Sequence, residues 1–366
     1  MDNEIIWNII MEGKMETKEK LLTIIVPIYN VEAYLNQCLD SLVYQTEKNF
    51  NVILVNDGSK DRSGEICEEY AQKYPEMFQY VYKENAGLGA ARNTGMKYCK
   101  TKYVEFLDSD DWLLPRTVER IFERLEDEKE EPDIIFMTPV VYNMATNKYE
   151  DWSDNEALKR IFEETEVTNP QLSPEMYSLE ASVNRCVWNF EFLKKHNFSF
   201  PEGVKWEDVA PHFYIFYWAR RCIMVDNAGF CYRINSGTQI TSSSDAGRLD
   251  VVVVFSKTLV YALENGWSTV EVSHIIKMMM SFARWSMAVS KKDVLPKLVK
   301  ELHKLLSAIP ERYIKAYEKQ MHPGKDEQII IKVLRSPGYR MFSNYHVIEM
   351  GVSTGARLGK VIRRRR

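Results

Sequence analysis

From Leu21 the chain repeats one unit. A short run of β-branched or aromatic residues ends in a polar side chain, and a stretch with apolar residues at helical spacing follows. "LLTIIVPIYN", "NVILVNDGS", "QYVYKEN" and "KYVEFLD" read as four strands, with "VEAYLNQCLDSLVYQ", "GEICEEYAQKY" and "GAARNTGMKYC" as the helices between them. Alternation of a period of two with a period of 3.6 predicts an α/β fold, helices layered on a sheet. Pro115 is expected to open the next helix, at a position where its missing N–H costs nothing, and "PDIIFMTPVVY" to form one further strand.

The strand ends show where a ligand can bind. Asn30, Asp57, Asn85 and the cluster Asp108 to Asp111 each stand where a strand has just ended, and the carboxyl edge of an open α/β sheet is where such folds take ligands. The acids of "YVEFLDSDDW" are the sharpest case, because carboxylates so crowded repel one another and lose solvation if covered. Asp108 and Asp110, two positions apart, can share a hard divalent cation, Mg²⁺ or Mn²⁺, which brings phosphate oxygens with it. As an isolated feature the same run reads as a solvated turn, with Asp111 capping the following helix.

The other loops carry matching chemistry. Asp57 in "VNDGSKDRS" can accept the ring N–H of a uracil, or simply close an Asp-Gly turn. "ENAGLGAARNTG" is close to a dinucleotide fingerprint, but its third glycine position holds Arg92 and it follows the third strand, which disfavours a dehydrogenase. Small residues beside Arg92 suit close approach of a nucleotide or sugar, with the guanidinium on a phosphate or bridging to an aspartate. "VKWEDVAPHFYIF" sets Glu207 and Asp208 before an aromatic run, where desolvation raises carboxylate basicity as a general base requires; the alternative is an acid-rich helix start over a packed core. Trp206 is positioned to stack on a sugar. In "CYRINSGTQITSS", Arg233 with Ser236 and Thr238 forms a polar stretch able to close over a diphosphate.

Composition excludes several classes. The six cysteines form no CxxC pair, which argues against zinc and against a disulfide framework and fits a reducing cytoplasm. No HExxH or GxSxG appears, and no apolar run approaches the roughly 18 to 20 residues that span a bilayer. The acidic start "MDNEIIWNII" does not read as a secretion signal. Net charge is only −4, but the last ten residues carry Arg357, Lys360 and Arg363 to Arg366 and no acid, a tail suited to an anionic surface or to solvent. Beyond about residue 245 the texture becomes amphipathic helix, with Met278 to Met280 and Trp285 as core or as an interaction face.

Taken in order, "VPIYN", "VNDGSKD", "ENAGLGAARN", "LDSDD" and "WEDV" resemble the family 2 glycosyltransferases with a GT-A fold, over roughly residues 21 to 240. The resemblance implies a mixed sheet flanked by helices, with residues 1–20 as an extension, 21–245 as the glycosyltransferase domain and 246–366 as a helical region with a basic tail. It implies a nucleotide-sugar donor, preferably UDP-linked, lying along Pro27, Tyr29, Asn30, Asp57, Asn85, Gly89, Arg92, Asp108, Ser109, Asp110 and Arg233. Asp57 then contacts the base, Asp108 the ribose or metal, Asp110 the metal, and Asp208, ahead of Glu207, deprotonates the acceptor hydroxyl. Attack from the opposite side predicts inversion in one step. The QxxRW motif and membrane spans of the processive synthases are lacking, so the resemblance implies single-sugar addition to a saccharide or lipid-linked glycan of the cell surface. No nucleic-acid partner is expected, and the enzyme is expected in the cytoplasm, soluble or peripheral on the membrane. Two rivals stay open: a sugar-nucleotide nucleotidyltransferase, which would need a Gly-rich phosphate loop after its first strand, and a non-catalytic nucleotide or glycan binder.

Overall fold

A computed structural model describes residues 19–163, 165–235 and 246–344. The strands β1 (Leu22–Ile28), β2 (Phe50–Asp57), β3 (Phe78–Lys83) and β4 (Tyr103–Phe106) are parallel neighbours, and α1 (Glu32–Val43), α2 (Ser63–Lys73) and α3 (Leu88–Met96) connect them. Further strands are β5 (Trp112–Leu113), β6 (Ile134–Met137), β7 (Val140–Asn143), β8 (Lys148–Asp151), β9 (Cys186–Asn189), β10 (Cys222–Val225) and β11 (Phe230–Ile234). The main sheet has seven strands in the order β10-β6-β9-β4-β1-β2-β3, and only β9 runs against the others. Their side chains alternate between faces: Ile25, Val104 and Phe136 enter one apolar cluster, Ile24, Val26 and Ile135 the other.

Two expectations about the chain after β4 are corrected. "PDIIFMTPVVY" is two strands in two sheets, since β6 pairs with β10 in the large sheet while β7 joins a four-stranded sheet ordered β5-β11-β7-β8. Pro139 cannot donate to a ladder, and the chain turns there, with Thr138 N–H bonded to the Ala228 carbonyl at 2.9 Å. Nor does Pro115 open its helix: α4 is Thr117–Glu126, and Arg116 before it is left-handed at φ 62°.

After α5 (Asn155–Glu163), α6 (Phe190–Lys195) and α7 (Val209–Trp218), the chain ends its described part in α8 (Asp250–Glu264), α9 (Thr269–Val289), α10 (Leu295–Ala308), α11 (Glu311–Met321) and α12 (Lys325–Leu334). Met279 and Met280 are fully buried and belong, with residues of α7 and of the main sheet, to one continuous apolar cluster. The methionine run is therefore core. All six cysteines are buried and unpaired. Among the described residues, no helix is long and apolar enough to cross a membrane. Residues 1–18, the basic tail, Ser236 and Thr238 lie outside the described residues.

Glu105 in β4 is fully buried, and neither carboxylate oxygen has a hydrogen-bond partner among the described residues. Burial raises its pKa from 4.5 to about 8. The folded state thus holds a proton that the unfolded chain releases, so this group's stability is complete below pH 4.5 and is lost as pH climbs toward 8. The expected loss is on the order of 5 kcal/mol. Urea midpoints of wild type and Glu105→Gln at pH 5 and pH 8 test it: the wild type should weaken and the variant should lose that slope.

Candidate active site

Because β1 to β4 are parallel, their carboxyl ends and the loops that follow share one edge, and side chains tie those loops together. Asn30, left-handed at φ 49°, accepts from Lys60 N–H at 2.8 Å and donates its own N–H to Ser59 Oγ at 3.1 Å. Glu32 and Asp61 exchange bonds across the same gap: Glu32 N–H donates to Asp61, and Arg62 N–H to Glu32. The Glu32 N–H, left free at the start of α1, is thereby satisfied from the neighbouring loop. Tyr29 stands exposed beside this lock, whereas Pro27 is buried within β1.

Asp57 spends its carboxylate on the protein. It accepts from Ala86 N–H at 3.0 Å, from Gly87 N–H at 2.8 Å and from Lys83, and the Asn85 amide donates to the Asp57 carbonyl at 3.0 Å. The Asp-Gly turn is also fixed sterically: Gly58 has φ 73°, and a Cβ there would lie 2.9 Å from Asn85 N. Asp57 thus fixes the chain entering α3, and its side chain is 4 % exposed. Gly89 is explained by packing against protein, since an added Cβ would stand 2.4 Å from the Pro201 carbonyl oxygen.

Arg92, on α3, joins the two acidic motifs. Its side chain is 2 % exposed; Nη2 donates to Asp108 at 2.7 Å and Nη1 to Glu207 at 2.6 Å. The guanidinium so reaches an acid 115 positions away in sequence, Glu207, while it holds Asp108. Of the bridging and ligand-pairing readings of Arg92, the bridge is present.

The three crowded carboxylates meet three different fates. Asp108 is compensated by Arg92. Asp111 is fully buried and accepts Arg233 N–H at 2.8 Å, which pins β11 to the turn; it does not cap α4. Burial first, then Asp110 and Asp108, pushes its pKa well up. Asp110 alone has no hydrogen bond to its carboxylate from another residue among the described ones. Burial and the charge of Asp108 raise its pKa to about 6, against a small pull from Arg233. Ser109 between them is buried.

Arg233 lies in β11, a strand, and the polar stretch expected after it, from residue 236, lies outside the described residues. Its guanidinium is between Tyr34 and Trp112, 4.6 and 4.7 Å from the ring centroids, with Nε donating to the Asp110 carbonyl at 2.8 Å and Nη2 to Gln37 at 2.8 Å. It braces the acidic turn.

Asp208 immediately precedes α7 and its carbonyl accepts His212 N–H at 3.0 Å. Burial and the adjacent Glu207 hold its carboxyl well above the usual range, with Arg92 pulling the other way. Trp206 is left-handed at φ 66°, a strained conformation for a bulky residue, and its ring packs on Phe282 and Trp285 of α9 at 5.6 and 5.1 Å. That contact, unlike the sugar stacking expected for Trp206, anchors the segment to the C-terminal helices, as does Lys205 N–H on Asp250 at 3.0 Å. Trp285→Ala should therefore cut turnover about 10- to 100-fold with the donor KM unchanged, the effect of misplacing a reactive group. Steady-state kinetics beside a thermal melt would check this.

Among the described residues, no group of three or more His, Cys, Asp or Glu side chains could hold a metal ion. Asp108 and Asp110 nevertheless offer hard oxygen donors, and the uncompensated Asp110 fits a divalent cation whose other ligands come from substrate and water.

A sequence model described as Glycosyl transferase family 2 matches residues 23–182. That segment of the chain belongs to glycosyltransferase family 2. The chain is 50 % identical over 104 residues to glycosyltransferase GlyA of Streptococcus pneumoniae, covering 28 % of this chain and 15 % of GlyA. It is 29 % identical over 299 residues to the minor teichoic acid biosynthesis protein GgaB of Bacillus subtilis, covering 79 % of this chain and 32 % of GgaB. The chain thus spans less than a third of the length of either relative. Residues 1–349 of S. aureus TarS, solved with UDP-GlcNAc, share the fold, with TM-score 0.66 and 20 % identity over 92 % of each chain. The likeness to TarS establishes the GT-A fold.

Proposed function

We propose that this chain transfers a single sugar from a nucleotide-sugar, preferably a UDP-sugar, to a hydroxyl of a saccharide or lipid-linked saccharide in cell-surface polysaccharide synthesis, with inversion. The observation that carries the reading is the Arg92 bridge, which ties Asp108 of the acidic turn to Glu207, the neighbour of Asp208. The UDP-GlcNAc held by TarS and the teichoic acid role named for GgaB support the donor and acceptor classes.

Asp108 and Asp110 would hold a divalent cation; when bound, it neutralises the diphosphate that departs. Asp208 accepts the acceptor's O–H proton as that oxygen forms its bond to the anomeric carbon and the bond from that carbon to the diphosphate breaks. Its raised pKa makes it a stronger base than a solvated carboxylate. Glu207, engaged by Arg92, is the poorer base. Residues 21–245 would form the transferase domain, with the C-terminal helices steadying the base through Trp206.

The pKa of about 6 at Asp110 gives a direct test. Protons compete with the cation below that pH, so the Mn²⁺ concentration for half-maximal UDP-sugar turnover should rise about tenfold per pH unit below 6. In Asp110→Asn that dependence should vanish along with most activity. Turnover untouched by chelator would reject the metal assignment.

A further inference from the structure

We infer that one face of the four-stranded sheet is a stacking surface for successive pyranose units of the acceptor glycan, an extension of the active site that rests on the transferase reading above. The register builds this face. Trp112 of β5 is opposite Cys231 of β11, Arg233 of β11 is opposite Tyr142 of β7, and Tyr142 is opposite Tyr149 of β8. Cys231 and Arg233 are two residues apart, so Trp112, Arg233, Tyr142 and Tyr149 project from the same side. The opposite side, through Leu113 and Phe230, belongs to the apolar core.

The ring centroids form a row, Trp112 to Tyr142 at 5.7 Å and Tyr142 to Tyr149 at 5.1 Å, with planes turned by 68° and 43°. Exposure grows outward. Trp112 and Tyr142 are half-buried and Tyr149 is 65 % exposed. A row of aromatic rings with one exposed end is poorly matched to core packing. Sugar rings, apolar on their C–H faces and polar at their rims, are matched to it, because the aromatic face covers the C–H groups while hydroxyls stay in water.

The occupant is argued from where the row begins. Trp112 directly follows the acidic turn, and the Arg233 guanidinium that lies over its ring also bonds the Asp110 carbonyl at 2.8 Å. A glycan whose terminal sugar is at the reaction centre therefore has a continuous path onto Trp112, Tyr142 and Tyr149. The donor, whose length is fixed, has no need of a row leading away from the turn.

The test uses the full chain and three pyranose hexasaccharides, an α-1,4-glucan, a β-1,4-glucan and a β-1,4-linked N-acetylglucosamine oligomer, followed by saturation-transfer NMR and tryptophan fluorescence. At least one should bind, and Tyr149→Ala, at an exposed position, should weaken its binding about five- to tenfold. Tyr149→Phe should restore it. Hydrolysis of UDP-sugar by water, measured without glycan, should be equal in all three proteins, which separates this surface from the donor site. If no hexasaccharide binds while UDP-sugar hydrolysis proceeds, or if Tyr149→Ala binds as wild type does, the stacking surface is wrong and the transferase reading stands. Absence of hydrolysis from a panel of UDP-, GDP- and dTDP-sugars would instead remove the transferase reading beneath it.

Discussion

Asp208→Asn is expected to lower sugar transfer about a thousandfold while leaving donor binding intact. A positioned general base contributes about 10² to 10⁴ in rate, and this carboxylate is held near the acidic turn by a chain of contacts the substitution does not touch: Arg92 to Glu207, and Trp206 to α9. Asparagine keeps the shape and removes the proton acceptor. Thermal stabilisation by UDP with Mn²⁺ should match wild type, since the substitution leaves Asp108 and Asp110 in place. Near-normal transfer by the variant would show that another group takes the proton.

A second large effect is expected at Arg92. Arg92→Met removes the cation between Asp108 and Glu207, and Glu207 is only 6 % exposed. Breaking a buried pair from one side costs about 3 to 5 kcal/mol, because the remaining charge keeps its desolvation penalty without compensation. Chemical denaturation should register that loss, and Arg92→Met with Glu207→Gln should recover part of it. Activity should shift as well. Arg92 lowers the Asp208 pKa, so without it the pKa rises further, and the acidic limb of kcat/KM should move to higher pH. A limb that stays in place would separate Arg92 from the base.

Much of this arrangement is legible in the sequence, for a local reason. Strands β1 to β4 announce themselves by apolar runs ending in Asn30, Asp57, Asn85 and Asp108, and parallel order puts those ends on one edge. What stays hidden depends on partners far along the chain. β9 is four residues long and gains its strand character by filling the gap between β4 and β6. Arg233 resembles the start of a polar loop until Asp111 is seen to accept its N–H from 122 residues away. The division of labour among Asp108, Asp110 and Asp111 likewise requires Arg92 and β11 in place. Trp206 reads as free for a sugar because nothing nearby in sequence hints that Phe282 and Trp285 cover it. A weak signal does exist, since apolar residues at helical spacing in α9 require something to pack against.

The central claim is that the acidic turn and the Glu207-Asp208 pair face one activated sugar from opposite sides. A crystal of Asp208→Asn grown with UDP-sugar and Mn²⁺, with manganese located by anomalous scattering, tests it most directly. The account predicts manganese between the Asp110 carboxylate and the diphosphate, with the substituted side chain across the anomeric carbon from the leaving oxygen. Nucleotide and manganese bound elsewhere, such as the cavity lined by Arg124, Glu128 and Arg221, would contradict it.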